Sequence, residues 1–353
     1  MLAAGAGAAG FALTRTPKTA LAPWKAAGGS DDPRLNALSW SILAPNPHNR
    51  QPWQAELVGD QELRIHRDKS LNLPETDPFD RQLTIGMGCF LEVLRMAAAE
   101  QGYALEQRLY PDGEDGAVAH VSFAEGGRKD PLFAQVLKRH TNRQPYEARL
   151  PDDEALAALA KECTGLITDT EAVAELRDLT WKAMQIEMQT HRTHMESVNL
   201  MRFGKAEINA NPDGISLRGP MLEALMAAGM LTRDGQADPA TDEYKQTADF
   251  LRTSMDASPA YCQITTDANT RSDQIEAGRQ WVRLHLVATE HDIAMQPLSQ
   301  ALQEYPEQSE LYQQVHQKLA PNGGTVQMLG RFGYGPRIGP SPRWPIESRI
   351  LTS

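Results

Sequence analysis

The chain predicts an α+β fold made of two fused, related halves, and three observations point there. Stretches with helical spacing alternate with short runs of β character along its whole length. A constant shift of 190 positions lays one long helix onto another. Two compact motifs, unlike each other, occur once each, one per half: Ala44-Pro45-Asn46-Pro47-His48-Asn49-Arg50-Gln51-Pro52-Trp53 and Arg139-His140-Thr141-Asn142-Arg143.

Composition bounds the reading. A chain of 353 residues with 41% apolar content can bury a sizeable core, in two domains or one large one. A formal charge of −11 disfavours nucleic acid and anionic membrane surfaces as partners. Cys89, Cys163 and Cys262 lie far apart with no CxxC, so no disulfide framework or zinc ribbon is expected.

Residues 1–13 are uncharged and mostly small, like the apolar middle of an export signal without its basic start. The run is too short to span a bilayer, and no other stretch approaches that length. Ala20-Leu21-Ala22 resembles a cleavage site, although Pro23 directly follows it. The expected location is the periplasm or cell envelope, with the cytoplasm as the alternative. Gly5 to Gly10 spells G-x-G-x-x-G, but only four residues precede Gly5, too few for the strand a dinucleotide fingerprint needs. Residues 14–33 read as linker. The expected division is 1–30 as signal remnant and linker, 31–130 as the first half and 131–353 as the second.

The elements follow in order. Asp31 to Ala44 is helical in character, with Leu35, Leu38, Ile42 and Leu43 on one side. Pro45, Pro47 and Pro52 then forbid helix and predict a rigid, extended path. Residues 63–66 alternate like a half-buried strand. A helix runs over 85–101, with Ile85, Cys89, Val93 and Met96 on one face and Gly102 as its stop. Residues 117–123 read as strand. In the second half, a helix leads into Arg139, another follows Pro151 over 154–161, and a long one covers 171–200. Residues 201–245, rich in Met, Gly and Pro, look like a lid or insertion. Strand character returns at 261–266, a strong helix covers 276–291, and 326–332 is the last strand.

The repeat supports fusion. Shifted by 190, Gly88 falls on Gly278, Leu94 on Leu284, Ala98 on Ala288, Glu100 on Glu290 and Ala104 on Ala294. The same shift takes Asn49 to a stretch without its motif, so each half has kept one motif.

The motifs suggest chemistry. Arg139 and Arg143 are four apart and would share a face on a helical turn. Guanidinium forks suit phosphate oxygens, Thr141 adds a hydroxyl donor, and a helix N-terminus would add free N–H groups. A solvated basic turn is the alternative. In the front loop, Pro45-Asn46-Pro47 presets backbone groups at fixed angles, and Asn49 can both donate and accept. Trp53 is expected to pack beneath the loop, Gln51 to bond nearby backbone, and His48 to be a loop histidine.

Together these segments resemble the flavin-binding cassettes of the nitroreductase family, and more closely its fused, double-module, Acg-like branch, which is associated with twin-arginine export. The resemblance implies a nitroreductase-like FMN-binding fold in which two fused modules form a pseudo-dimer around one composite site. Arg139, His140, Thr141 and Arg143 would hold the phosphate and ribityl chain. Pro45, Asn46, Pro47 and Asn49 would reach over from the other module, with Asn46 and Pro47 replacing the family's small hydroxyl residues. Gln296, Pro297, Leu298 and Ser299 match the flavin-edge segment. Ser341 and Arg343 match the C-terminal segment whose cation completes the phosphate clamp. Arg143 is the candidate cation near flavin N1 and O2. The implied cofactor is FMN, with NAD(P)H as co-substrate and a quinone, nitroaromatic or similar small molecule as electron acceptor. Storage of FMN without turnover is the alternative. The chain would be a monomer with internal pseudo-symmetry or a homodimer.

Other patterns carry less. His191 and His194 with Glu187 could hold a metal, but HExxH and a third ligand are absent, so no metal is expected. No nucleophile elbow or P-loop occurs. Met221, Met226 and Met230 read as helix packing before they read as a pocket lining.

Overall fold

The computed structural model describes residues 14–352; the export-signal reading of residues 1–13 lies outside them. Each half builds one antiparallel four-stranded sheet. The first joins β1 (Trp53–Val58), β2 (Glu62–Arg67), β3 (Tyr103–Leu109) and β4 (Ala119–Glu125) in the order β1-β2-β4-β3. The second joins β5 (Gly165–Ile167), β8 (Ala260–Thr266), β9 (Ala294–Pro297) and β10 (Thr325–Gly333) in the order β5-β8-β10-β9. Between them in sequence, β6 (Met201–Phe203) and β7 (Ile215–Leu217) form a parallel pair. The two sheets have equivalent topology. In each, the strand before the long helix lies beside the second strand after it, and the first strand after it takes the edge.

The helices follow from capping and apolar spacing. Asp32 accepts from the Arg34 N–H and opens α1 (Pro33–Ser41), which ends ahead of the prolines. The long helix α2 (Arg81–Glu100) is apolar nearly all round and buried on almost every face. It is long and apolar enough to cross a membrane, contrary to the sequence expectation, but 94% of its apolar window is buried inside the protein. Only a 3-10 turn, Pro131–Gln135, stands where a helix was expected before Arg139. Asp152 caps α3 (Asp153–Leu159).

The helix expected over 171–200 is two: α4 (Thr170–Gln189) and α5 (His191–Asn199). Thr190 between them is extended (φ −79°, ψ 107°), and the Thr193 hydroxyl donates to the Glu187 carbonyl at the end of the first helix and to the Thr190 carbonyl, which also accepts the His194 N–H. The stretch 201–245 contains α6 (Gly204–Ala210), α7 (Pro220–Ala227), α8 (Arg233–Ala237) and the start of α9 (Asp242–Asp256). On α7 the helix-packing reading holds for Met226, which is half-buried against Gly204, and fails for Met221, 73% exposed, and for Met230 just after the helix, 62% exposed. A Thr270–Asp273 capping box starts α10 (Arg271–Glu290), and α11 (Ser309–Leu319) precedes β10.

Helices α2 and α10 cross in a core fed by both sheets, including Leu63, Ile65, Val121 and Phe123 from the first and Cys262, Ile264, Met328 and Phe332 from the second. Gly88 and Gly278, the pair matched by the repeat, stand at the crossing. A Cβ on Gly88 would lie 2.1 Å from the Ile275 carbonyl oxygen, and one on Gly278 would lie 2.0 Å from that of Ile85. Ile85 and Ile275 are related by the same shift. Such reciprocal contacts characterise a two-fold interface between like units, here joined in one chain.

Candidate functional site

The front loop is a tight turn, not the extended path that its prolines suggest. Pro47–Asn49 is a 3-10 turn, and His48, Asn49 and Gln51 all take left-handed backbone conformations (φ 47°, 53° and 52°). Three such non-glycine residues in four positions store strain, which their surroundings must hold. Asn46 Oδ1 accepts from the Gln51 N–H at 2.8 Å, and its Nδ2 donates to the Ala44 carbonyl. Gln51, fully buried, donates to the Asn49 and Pro212 carbonyls and accepts from the Trp344 N–H. Asn49 Nδ2 donates to the Pro212 and Pro342 carbonyls. Trp53 packs beneath, stacked on Phe90 at 5.0 Å. Pro47 lies against α2, where a Cβ on Gly86 would come within 3.1 Å of the Pro47 ring.

The basic segment is extended, not helical, so no helix N-terminus serves it. Thr141 forms a parallel bridge with Met295, and the Asn142 N–H donates to the Met295 carbonyl at 3.0 Å. The segment therefore lies along the free edge of β9. Residues two apart on extended backbone project to one side, which would align Thr141 with its neighbours at 139 and 143; of the two arginines, Arg139 is buried and Arg143 exposed.

Arg343 joins the motifs. Its Nη1 donates to Asn49 Oδ1 at 2.6 Å, and its Nε donates to the Ile42 carbonyl. Its Nη2 donates to the Leu43 and Ala44 carbonyls. The Leu43 carbonyl also accepts from Arg139 Nη2 at 3.0 Å. Front loop, basic segment and C-terminal limb thus meet at one carbonyl. With the Pro342 carbonyl as its fifth acceptor, Arg343 commits every N–H to protein and serves as a clamp on the loop. Gln296 accepts from Arg331 Nε, Pro297 pairs with Gly330 in the sheet, and buried Leu298 donates its N–H to the Leu329 carbonyl. Ser299 follows at the edge of that segment, and the Ser341 carbonyl accepts from Trp24.

The electrostatics set this place apart. Arg139 and Arg343 are 3% and 2% exposed, and neither has a carboxylate among its described partners. Burial pushes Arg139 down to about 10. Burial, with Arg139 nearby, pushes Arg343 down to about 9. Arg143 keeps a solvent-exposed surface, yet crowding by protein lowers it as well. His140 is pushed down to about 4 by burial and then by Arg139, Arg343 and Arg218. His48 is also pushed to about 4, by burial and then by Arg143 and Arg50. The Nδ1 atoms of His48 and His140 are buried without a hydrogen-bond partner. His285 on α10, 3.5 Å from Arg139, is held neutral by burial and by that cation.

Sequence reasoning missed several of these contributors. Arg218, just after β7, bonds the Pro340 carbonyl and adds positive charge beside His140. Asp213 pairs with Arg50 and Arg202, which seats the 212–214 turn on the front loop. An arginine in a Met- and Gly-rich stretch carries no motif, so spacing could not mark it.

Two cavities open elsewhere, of about 480 Å³ near Arg283 and about 640 Å³ near Tyr305. Their principal cations are compensated: Arg283 pairs with Asp130 and Glu162, and Arg192 with Glu75 and Glu307. In the motif region, by contrast, the buried Arg139 and Arg343 have no carboxylate partner among the described residues. Among the described residues no three metal-ligating side chains converge. His194 Nε2 bonds the Gln236 carbonyl, and Glu187 accepts from Gln303.

The fold and the comparisons together support one class, the nitroreductase family, with a nitroreductase-like α+β fold. Among curated relatives, "Putative NAD(P)H nitroreductase Rv3131" of Mycobacterium tuberculosis (strain ATCC 25618 / H37Rv) is 24% identical over 326 residues, which cover 89% of this chain and 88% of that protein. "Putative NAD(P)H nitroreductase acg" of the same organism is 28% identical over 151 residues, 40% of this chain and 44% of its own length. No protein-family model matches the chain.

Proposed function

We propose that this chain is an FMN-binding, NAD(P)H-dependent oxidoreductase that reduces a small acceptor such as a quinone or nitroaromatic. The carrying observation is the set of buried cations without counter-charge in a chain of net charge −11. An isolated buried charge is costly, so a site that keeps several and leaves two imidazole nitrogens unbonded fits an anionic, acceptor-rich ligand. A phosphate-tailed flavin has that chemistry, and the names of the relatives support the redox reading.

The residues fit this group. Arg139 and Arg143, with Thr141, would take the phosphate and ribityl oxygens, and His140 and His48 offer unbonded ring nitrogens. Arg343 and Asn49 would hold the loop in register. Backbone along Gln296–Ser299 would stand at the flavin edge. The residues 201–245, whose 212–214 turn touches the front loop, would cover the site as a lid. When bound, FMN supplies hydride acceptance from the nicotinamide and its delivery to the acceptor. The chain's own residues bind, orient and exclude water.

Storage of FMN without turnover rests on the same site and differs only in redox behaviour. Anaerobic mixing of the FMN-loaded protein with NADH and with NADPH separates them. Bleaching of the flavin absorption band with either nucleotide is expected for the oxidoreductase; an unbleached band with both would contradict it.

A further inference from the structure

The residues read as linker from sequence are built into the site. Lys18–Leu21 and Pro23–Ala26 are helical turns, and within them Ala20 is 2% and Trp24 8% exposed. Trp24 Nε1 donates to the Ser341 carbonyl at 2.8 Å. Its ring stands edge-on to His140, with centroids 5.0 Å apart, and the Arg343 guanidinium lies 5.5 Å from the ring. The Arg343 backbone N–H donates to the Ala20 carbonyl at 2.8 Å, and the Ala20 N–H donates to Asn209 Oδ1 on α6 at 3.1 Å. One short segment thus ties together the basic segment, the C-terminal limb and the insertion.

We propose that Trp24 is a positioning residue of the anion site: it closes the outer side of the His140–Arg343 pair and fixes the Ser341–Arg343 limb, which in turn holds the loop from Ile42 to Asn49. Two arguments carry this. First, a buried guanidinium and a half-buried imidazole without carboxylates are shielded from water only if something apolar covers them, and an indole does so while offering a ring face to the cation. Second, four of the five Arg343 N–H bonds go to that loop, at Ile42, Leu43, Ala44 and Asn49, so freedom in the limb passes directly to the strained turn at His48–Gln51. The proposal rests on the function proposed above only for the identity of the ligand.

The test uses the full chain with Trp24→Ala and Trp24→Phe. Phenylalanine keeps an aromatic edge on His140 but cannot donate to Ser341. The first readout is the NMR titration of the His140 ring, held near 4 in the parent. The second is affinity for FMN and for inorganic phosphate, by fluorescence quenching and thermal shift. Loss of the indole should raise the His140 midpoint by about one unit and weaken both ligands about tenfold, the scale of an aromatic contact plus a hydrogen bond. Trp24→Phe should restore most of the midpoint. A folded Trp24→Ala protein with an unmoved midpoint and parent affinity overturns the proposal. So does equal weakening in both variants while His140 stays put, which would mark a merely structural role. A parent that binds phosphate but not FMN, with His140 moving and phosphate weakened in Trp24→Ala, supports the proposal and overturns only the flavin reading; a parent that binds neither overturns both.

Discussion

Replacing Arg139 by methionine should move stability and binding in opposite directions. Burial takes the Arg139 guanidinium from its ordinary 12.5 to about 10. At about 1.4 kcal/mol per unit, the folded state bears a cost of about 3 kcal/mol for keeping this charge. The cost is fully present at neutral pH, where folded and unfolded chains are both protonated. It declines only as pH rises through the folded value. Methionine of similar length removes it and forfeits the bond to Leu43, worth about 1 kcal/mol. The Leu43 carbonyl keeps its donor from Arg343. The ligand-free variant should therefore be about 2 kcal/mol more stable than the parent by urea unfolding. The same variant should bind FMN about a hundredfold more weakly, the scale of a lost charge-assisted phosphate contact. A variant that unfolds earlier without ligand, and retains FMN as the parent does, would refute the idea that Arg139 is kept for an anion.

Three further outcomes follow. His48 and His140 are held near 4 against an ordinary 6.5, so the stability their neutrality provides is present above pH 6.5 and lost as pH falls toward 4. The loss is at most about 3 kcal/mol per residue, and a His140→Gln protein should show a flatter stability profile over that window. Gly88→Ala or Gly278→Ala should cost about 3 kcal/mol or block folding, because each Cβ meets a backbone carbonyl near 2 Å; a normal urea midpoint would contradict the close crossing. Arg139→Ala combined with Arg143→Ala should abolish FMN retention through gel filtration while leaving the far-UV circular dichroism intact, and a yellow double variant would count against the assignment.

What was legible in the sequence was what period and motif encode. The Gly88–Gly278 correspondence was legible as a repeat; that the pair stands at a helix crossing shows only in the structure, where both positions lack the side chain that would keep the helices apart. The front loop and basic segment were visible because their residue types are unusual together. Their conformations were not. The spacing of Arg139 and Arg143 fits a helical turn or an extended row equally well, and pairing with Met295 in β9 decides for the latter. The front-loop amides look poised for a ligand, yet Asn46, Asn49 and Gln51 hold the strained turn together. Strand β3 (Tyr103–Leu109) escaped notice because its inward positions include Gln107. The segment around Trp24 read as linker because most of its burial comes from partners distant in sequence, among them His140, Asn209, Ser341 and Arg343.

The central claim is one composite anion site per chain, shared between the halves. Equilibrium titration of the ligand-free protein with FMN, followed by flavin fluorescence at protein concentrations well above the dissociation constant, tests it directly. One FMN per chain, displaced competitively by inorganic phosphate and lost in the Arg139→Ala, Arg143→Ala protein, is the predicted result. No saturable binding, or two equivalents per chain, would contradict it.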